Sequence, residues 1–257
     1  MIIDTHCHLY LPEFKEDVDN MLKRAVDAGI KQFFLPAIDG STHNEMMEME
    51  KKYPGKCFSM IGLHPCSVKE NYLYELDHIK LLLEQRQFAA IGETGLDFYW
   101  DTQFAKEQYK ALENQIVMAL QFNLPIVLHT RSAMQETIDV IKQYRDTKLN
   151  GIFHCFGGTL QEARQIIDLG FYLGIGGVVT YKKSGLEETL KEIDLKHLVL
   201  ETDAPYLSPV PFRGKRNESS YLTYIVAKIA EIKQVSIEEV ARETTTNAVK
   251  IFEKSFK

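Results

Sequence analysis

The chain has 257 residues, 45% of them hydrophobic and 26% charged, enough to bury a full core. A formal net charge of −6 and a pI of about 5.8 exclude a protein held on nucleic acid by bulk charge, though not one with a small local basic site. No run reaches the ~18 apolar residues of a membrane span, and Cys7, Cys57, Cys66 and Cys155 form no Cys-x-x-Cys pair, so they read as reduced thiols of a cytoplasmic protein.

Eight short apolar runs recur in chain order: Met1–Asp4, Gln32–Pro36, Phe58–Gly62, Ala89–Gly92, Pro125–Leu128, Gly151–Phe153, Phe171–Ile175 and Leu198–Leu200. They are continuous rather than alternating, as in parallel strands covered on both faces. The segments between them carry helical stripes. Val18, Met21, Leu22, Ala25 and Val26 form one, closed by Gly29 at the position of a terminating glycine, and Tyr109, Leu112, Ile116 and Leu120 form another. Thr42 with Glu45, Thr159 with Glu162 and Ser236 with Glu239 have the spacing of capping boxes that open helices. His43, His78 and His197 fall in helix-like or charged segments and are expected at the surface. Strand–helix alternation repeated eight times predicts an α/β fold, a (β/α)8 TIM barrel spanning residues 1–257 as one domain, with its active site at the C-terminal ends of the strands. A doubly wound open sheet is the alternative, but it does not readily bring ligands from the first and last strands together.

Six metal-ligand residue types sit at or just past these runs: His6, His8, Glu93, His129, His154 and Asp203. His6 and His8, two apart on an extended chain, project to one face. Glu93 at the end of a buried run is costly unless paired or bound to a cation, and its two oxygens can bridge two ions. His129 or His154 alone reads more readily as a hydrogen-bonded core histidine, Glu93 alone as one half of a salt bridge in the barrel mouth, and His6 with His8 as a solvated strand end. Their recurrence at one end of five different runs points to a metal-dependent enzyme.

The surrounding motifs sharpen this. Asp4-Thr5-His6-Cys7-His8, Gly92-Glu93-Thr94-Gly95-Leu96-Asp97, Leu128-His129-Thr130-Arg131, His154-Cys155-Phe156-Gly157-Gly158, Glu201-Thr202-Asp203-Ala204-Pro205 and Arg213-Gly214-Lys215-Arg216-Asn217-Glu218 occur in this order over nearly the whole chain. The chain resembles the TatD family of metal-dependent deoxyribonucleases, within the amidohydrolase superfamily. It departs at Ser219, where the family usually has proline, and at Gly157, where it usually has serine. The resemblance implies two divalent metal ions. His6, His8 and Asp203 would hold one, His129 and His154 the other, and Glu93 would bridge them. Imidazole-rich ligation favours zinc, manganese or cobalt over magnesium, while the resemblance implies magnesium, so magnesium or zinc is expected and manganese admitted. Asp203, ligating and hydrogen-bonding the attacking water, is the expected general base, and Glu93 is catalytic with it.

The expected substrate is DNA, as a single strand or at its ends, and the resemblance implies trimming from the 3′ end. His64, Asp97, Arg131, Arg213, Lys215, Arg216 and Asn217 are the substrate-facing candidates, Asp97 alternatively orienting a ligand. Phe98, Tyr99, Trp100, Tyr206 and Phe212 are candidates for stacking on terminal bases. No membrane association and no obligate protein partner is expected. Two other readings stay open: an amide or ester hydrolase of the same superfamily, such as a D-aminoacyl-tRNA deacylase, and a non-catalytic metal-binding scaffold.

Overall fold

The computed structural model describes residues 1–256. All eight apolar runs are strands: β1 (Ile2–Asp4), β2 (Ile30–Pro36), β3 (Cys57–Met60), β4 (Ile91–Asp97), β5 (Ile126–Arg131), β6 (Gly151–Phe153), β7 (Tyr172–Ile175) and β8 (Leu198–Leu200). They pair in parallel and in chain order, β1 to β3 and β4 to β8. A bridge between Ile61 and Ile91 joins the two sets. Hydrogen bonds from Thr5 N to Leu200 O (2.9 Å) and from Asp203 N to His6 O (2.9 Å) hold the first strand end against the last. The result is an α/β barrel, not the open sheet. Between and after the strands run α1 (Val18–Asp27), α2 (His43–Lys52), α3 (Tyr72–Gln85), α4 (Ala105–Phe122), α5 (Met134–Lys142), α6 (Leu160–Asp168), α7 (Leu186–Lys191), α8 (Leu222–Lys233) and α9 (Ile237–Ile251). None of these helices is long and apolar enough to cross a membrane.

The alternation of side chains along the strands builds the barrel interior. Ile3, Phe34, Met60, Val127, Ile152 and Val199, from six of the strands, and Ala90, just before β4, pack together as a buried floor. Phe252, just past α9, closes the bottom by stacking on Phe34 with ring centroids 3.8 Å apart. The larger apolar cluster lies between strands and helices. Gly95, at φ +143°, lets β4 run close to β5, since a Cβ there would lie 2.0 Å from His129 O.

Two local expectations change. Thr159 and Glu162 form the full reciprocal cap of α6, and Ser236 accepts from Glu239 N at α9. Thr42 does not cap α2: its hydroxyl is committed to the preceding turn, donating to Asp39 O and accepting from Ile38 N. His43 is not at the surface. It shares the inward face of α2 with Met46 and Met49, is fully buried, and stacks on His78. Burial lowers its pKa to about 4, below the ordinary 6.5. Protons therefore bind the unfolded imidazole more readily than the folded one. Stability from this group is complete above pH 6.5 and is lost as pH falls toward 4. The stability advantage of wild type over His43→Gln in urea unfolding should shrink by about 2 kcal/mol from pH 7 to pH 5. An unchanged advantage would mean the imidazole is not kept neutral.

Candidate metal centre

The floor residues fix where the polar groups come. Two residues beyond Val127 and Ile152, on the same inward face, stand His129 and His154. The same period carries Val199 to Glu201 and then Asp203. His6, His8, Glu93, His129, His154 and Asp203 are thus brought to one point above the floor, and His64 joins them from the loop after β3.

Glu93 is at the centre and buried. Its Oε2 lies 3.1 Å from His6 Nε2 and 3.7 Å from His8 Nε2. Its Oε1 lies 2.8 Å from His129 Nδ1 and 3.5 Å from both His154 Nε2 and His64 Nε2. Asp203 Oδ1 is 3.7 Å from His6 Nε2 and 3.6 Å from His8 Nε2. Asp203 has φ +55°, a left-handed backbone that an Asp tolerates and that turns its side chain back over the barrel.

The outer nitrogens of His129 and His8 are hydrogen-bonded, and that of His154 stands beside a carboxylate. His129 Nε2 lies 2.8 Å from Asp97 Oδ2, and His154 Nδ1 lies 3.0 Å from Glu201 Oε1. His8 Nδ1 lies 3.1 Å from Tyr10 Oη, whose own proton goes to Pro36 O at 2.7 Å. A proton on each outer nitrogen leaves the inner nitrogen as a lone pair aimed at the centre, as a metal-ligating histidine needs. His64 is the reverse. Its Nδ1 accepts from Cys66 N, so its proton sits on Nε2, facing the centre as a donor.

The donor set fits divalent cations. Several imidazole–carboxylate separations, at 3.5–3.7 Å, exceed a hydrogen bond. They approach the ~3.4 Å that separates two ligands held about 2.1 Å from one tetrahedral cation. His6, His8 and Asp203 form one such group, and Glu93 shares each of two others with a pair of histidines. Charge points the same way. Burial alone would raise Glu93, but the charges of His154, His6 and His64 and the hydrogen bond with His129 hold it well below the ordinary carboxylate range. Burial opposes protonation of His154, yet Glu201, Glu93 and Asp203 lift it to about 10. Without a cation, the surrounding carboxylates keep a proton on the His154 imidazole, and a cation would displace it.

Several sequence-stated roles need correction. Asp97 reaches the cavity lining but is almost wholly buried, with Oδ2 against His129 and Oδ1 accepting from Tyr99 N and Trp100 N, the geometry of the alternative, ligand-orienting role. Arg216 is turned away, bound through both terminal nitrogens to Asp17 on the far side of the loop. Asn217 is fully buried and staples the loop, donating to Thr202 O and Tyr206 O and accepting from Glu218 N. Phe212 stacks internally on Tyr221, and Phe98 packs against the core. His64, Arg131, Arg213 and Lys215 do line the cavity above the cluster, which has a volume of about 1670 Å³. Ser219, the departure from the family pattern, gives its hydroxyl to buried Asp4 (2.7 Å), directly behind His6.

Residues 3–253 match the model of the TatD related DNase family. The chain belongs to that family. Among its TatD-family relatives, YabD of Bacillus subtilis, described as an uncharacterized metal-dependent hydrolase, is 38% identical over 98% of this chain and 99% of its own length. The 3′-5′ ssDNA/RNA exonuclease TatD of Salmonella typhimurium is 33% identical over 99% of this chain and 100% of its own. The solved structure of YjjV, a TatD homologue of Escherichia coli K12, superposes with a TM-score of 0.92 at 28% identity, covering 98% of each chain. This TatD-family chain is a metal-dependent hydrolase. Reading residues one at a time missed Glu201 and Tyr10 as partners of the TatD histidines. Glu201 was open to the period-two pattern Val199, Glu201, Asp203. Tyr10 has no such signal, because its role depends on Pro36 O from another strand.

Proposed function

We propose that the protein is a phosphodiesterase that trims single-stranded DNA or DNA ends from the 3′ terminus, using two divalent ions. The observation that carries this reading is the cavity wall. Arg131, Arg213 and Lys215 line it, and none is ion-paired to a carboxylate among the described residues. Arg131 rests on the Tyr99 ring and Arg213 on the Tyr181 ring, so their charges are left for phosphates. The name of the Salmonella relative supports the same substrate class. The four unpaired cysteines support a cytoplasmic location.

In this reading His6, His8 and Asp203 would hold one ion and His129 and His154 the other, with Glu93 able to serve both. Magnesium or zinc is expected there. When bound, such ions supply Lewis acidity that makes water nucleophilic near neutral pH and neutralises charge gathering on a phosphoryl group. Asp203 accepts the proton of the attacking water. Burial pushes its carboxyl up, but the His8 contact and the charges of His154, His6 and His8 hold it below the ordinary value, so it is ionised and ready to accept. His64 donates its Nε2–H as a hydrogen bond to the leaving oxygen. Asp97, Glu201 and Tyr10 keep the histidine rings oriented.

The phosphate reading is tested by salt. Three cation–phosphate contacts give a plot of log affinity against log salt concentration, for a single-stranded oligonucleotide, a slope of about −2. Arg131→Met should weaken binding about tenfold and flatten that slope by about 0.7. A slope near zero, or one unchanged in the variant, would remove the cavity wall as a phosphate surface.

A further inference from the structure

Trp100 is the only tryptophan in the chain, and its side chain is 67% exposed on the cavity wall. An uncovered indole on a loosely held loop would carry little meaning. This one is held at its backbone. Asp97 Oδ1 accepts from Tyr99 N (2.9 Å) and Trp100 N (3.2 Å), while Oδ2 of the same carboxylate meets His129 Nε2 (2.8 Å). Asp97 is itself fixed, because Gln108 Oε1 accepts from its backbone N at 2.9 Å. One buried carboxylate therefore ties the aromatic loop to a histidine of the candidate metal centre.

The rings above that tie are organised too. Tyr99 and Trp100 meet edge to face at 89° with centroids 4.9 Å apart. The Arg131 guanidinium lies 3.9 Å from the Tyr99 centroid and 5.0 Å from that of Trp100. Arg131 also takes its backbone place directly opposite Asp97 in the β4–β5 register. An aromatic face open to the cavity and a cation with no carboxylate partner thus stand side by side. That is the chemistry of one nucleotide unit: a base to stack and a phosphate to grip. Because the loop is already ordered, little side-chain freedom is lost on binding.

We propose that Trp100, Tyr99 and Arg131 form a nucleotide clamp, in which an unpaired base stacks on the Trp100 indole while Arg131 holds the adjoining phosphate. The clamp rests on the phosphodiester reading above and adds its specificity device. A base held in a duplex has no free face to offer, so the clamp selects single-stranded segments. The tie through Asp97 sets the clamped nucleotide at a fixed offset from the reacting centre.

The lone tryptophan makes the test site-specific. Purified metal-loaded protein is titrated with a hydrolysis-resistant phosphorothioate thymidine oligonucleotide, and separately with an abasic strand of the same length and linkage. Trp100 emission and fluorescence anisotropy of the labelled strand are read together. The thymidine strand should quench Trp100 and the abasic strand should not. Trp100→Ala should weaken thymidine-strand binding about tenfold and bring it level with the abasic strand, and Trp100→Phe should recover most of the loss. Equal quenching by both strands overturns the clamp, as does unchanged emission while anisotropy records binding. If neither strand binds, the phosphodiester reading fails and the clamp falls with it.

Discussion

Glu93→Gln is expected to lower hydrolysis by about 10³-fold or more, and to leave the purified protein with less bound divalent metal than wild type. The substitution keeps the shape of the side chain and removes one oxygen and the charge. Both oxygens of Glu93 are engaged in opposite directions, Oε2 toward His6 and His8 and Oε1 toward His129, His154 and His64. A glutamine would present an amide N–H to one of these sets, and an amide nitrogen is no metal ligand. Its loss also removes the negative charge that the surrounding imidazoles stabilise well below the ordinary carboxylate range. The check is metal content per chain beside the steady-state rate. A variant that kept wild-type metal and rate would show that Glu93 is only a structural partner of the histidines.

Asp203→Asn is expected to keep the fold and lose activity by about 10²- to 10⁴-fold at saturating metal. Asparagine suits the test because it accepts the left-handed backbone at φ +55° as aspartate does, so a loss cannot be assigned to backbone strain. The amide can still reach His6 and His8 but cannot take a proton from water. Thermal unfolding within a few degrees of wild type, together with a depressed kcat, is the expected pair of results. Near-normal turnover at saturating metal would assign the base elsewhere.

The strands were legible because each is a continuous apolar run, and the barrel followed from their alternation with amphipathic helices. The meeting of His6, His8, Glu93, His129, His154 and Asp203 was legible because the period of two that buries Val127 and Ile152 also aims the residues beyond them inward. Local charge, by contrast, does not report direction. Arg213, Lys215 and Arg216 read as one basic loop, yet Arg216 turns to Asp17 of a different segment while the other two line the cavity. Asn217 followed that run and read as substrate-facing, but its amide satisfies buried carbonyls. His43 was misplaced by its polarity, although its spacing with Met46 and Met49 marks the buried face. Of the partners of the histidines, Asp97 was open to a ligand-orienting reading and Glu201 to the period of two, whereas Tyr10 meets His8 and Pro36 O across two strands, a meeting no local pattern contains.

The most direct measurement is hydrolysis of a 5′-labelled single-stranded DNA oligonucleotide by purified protein with magnesium, manganese or zinc, beside Glu93→Gln and with charged tRNA in parallel. The account predicts metal-dependent cleavage whose ladder shortens from the 3′ end, absent in the variant, with charged tRNA untouched. Intact DNA with all three metals, from protein shown to hold metal that deacylates charged tRNA, would contradict it.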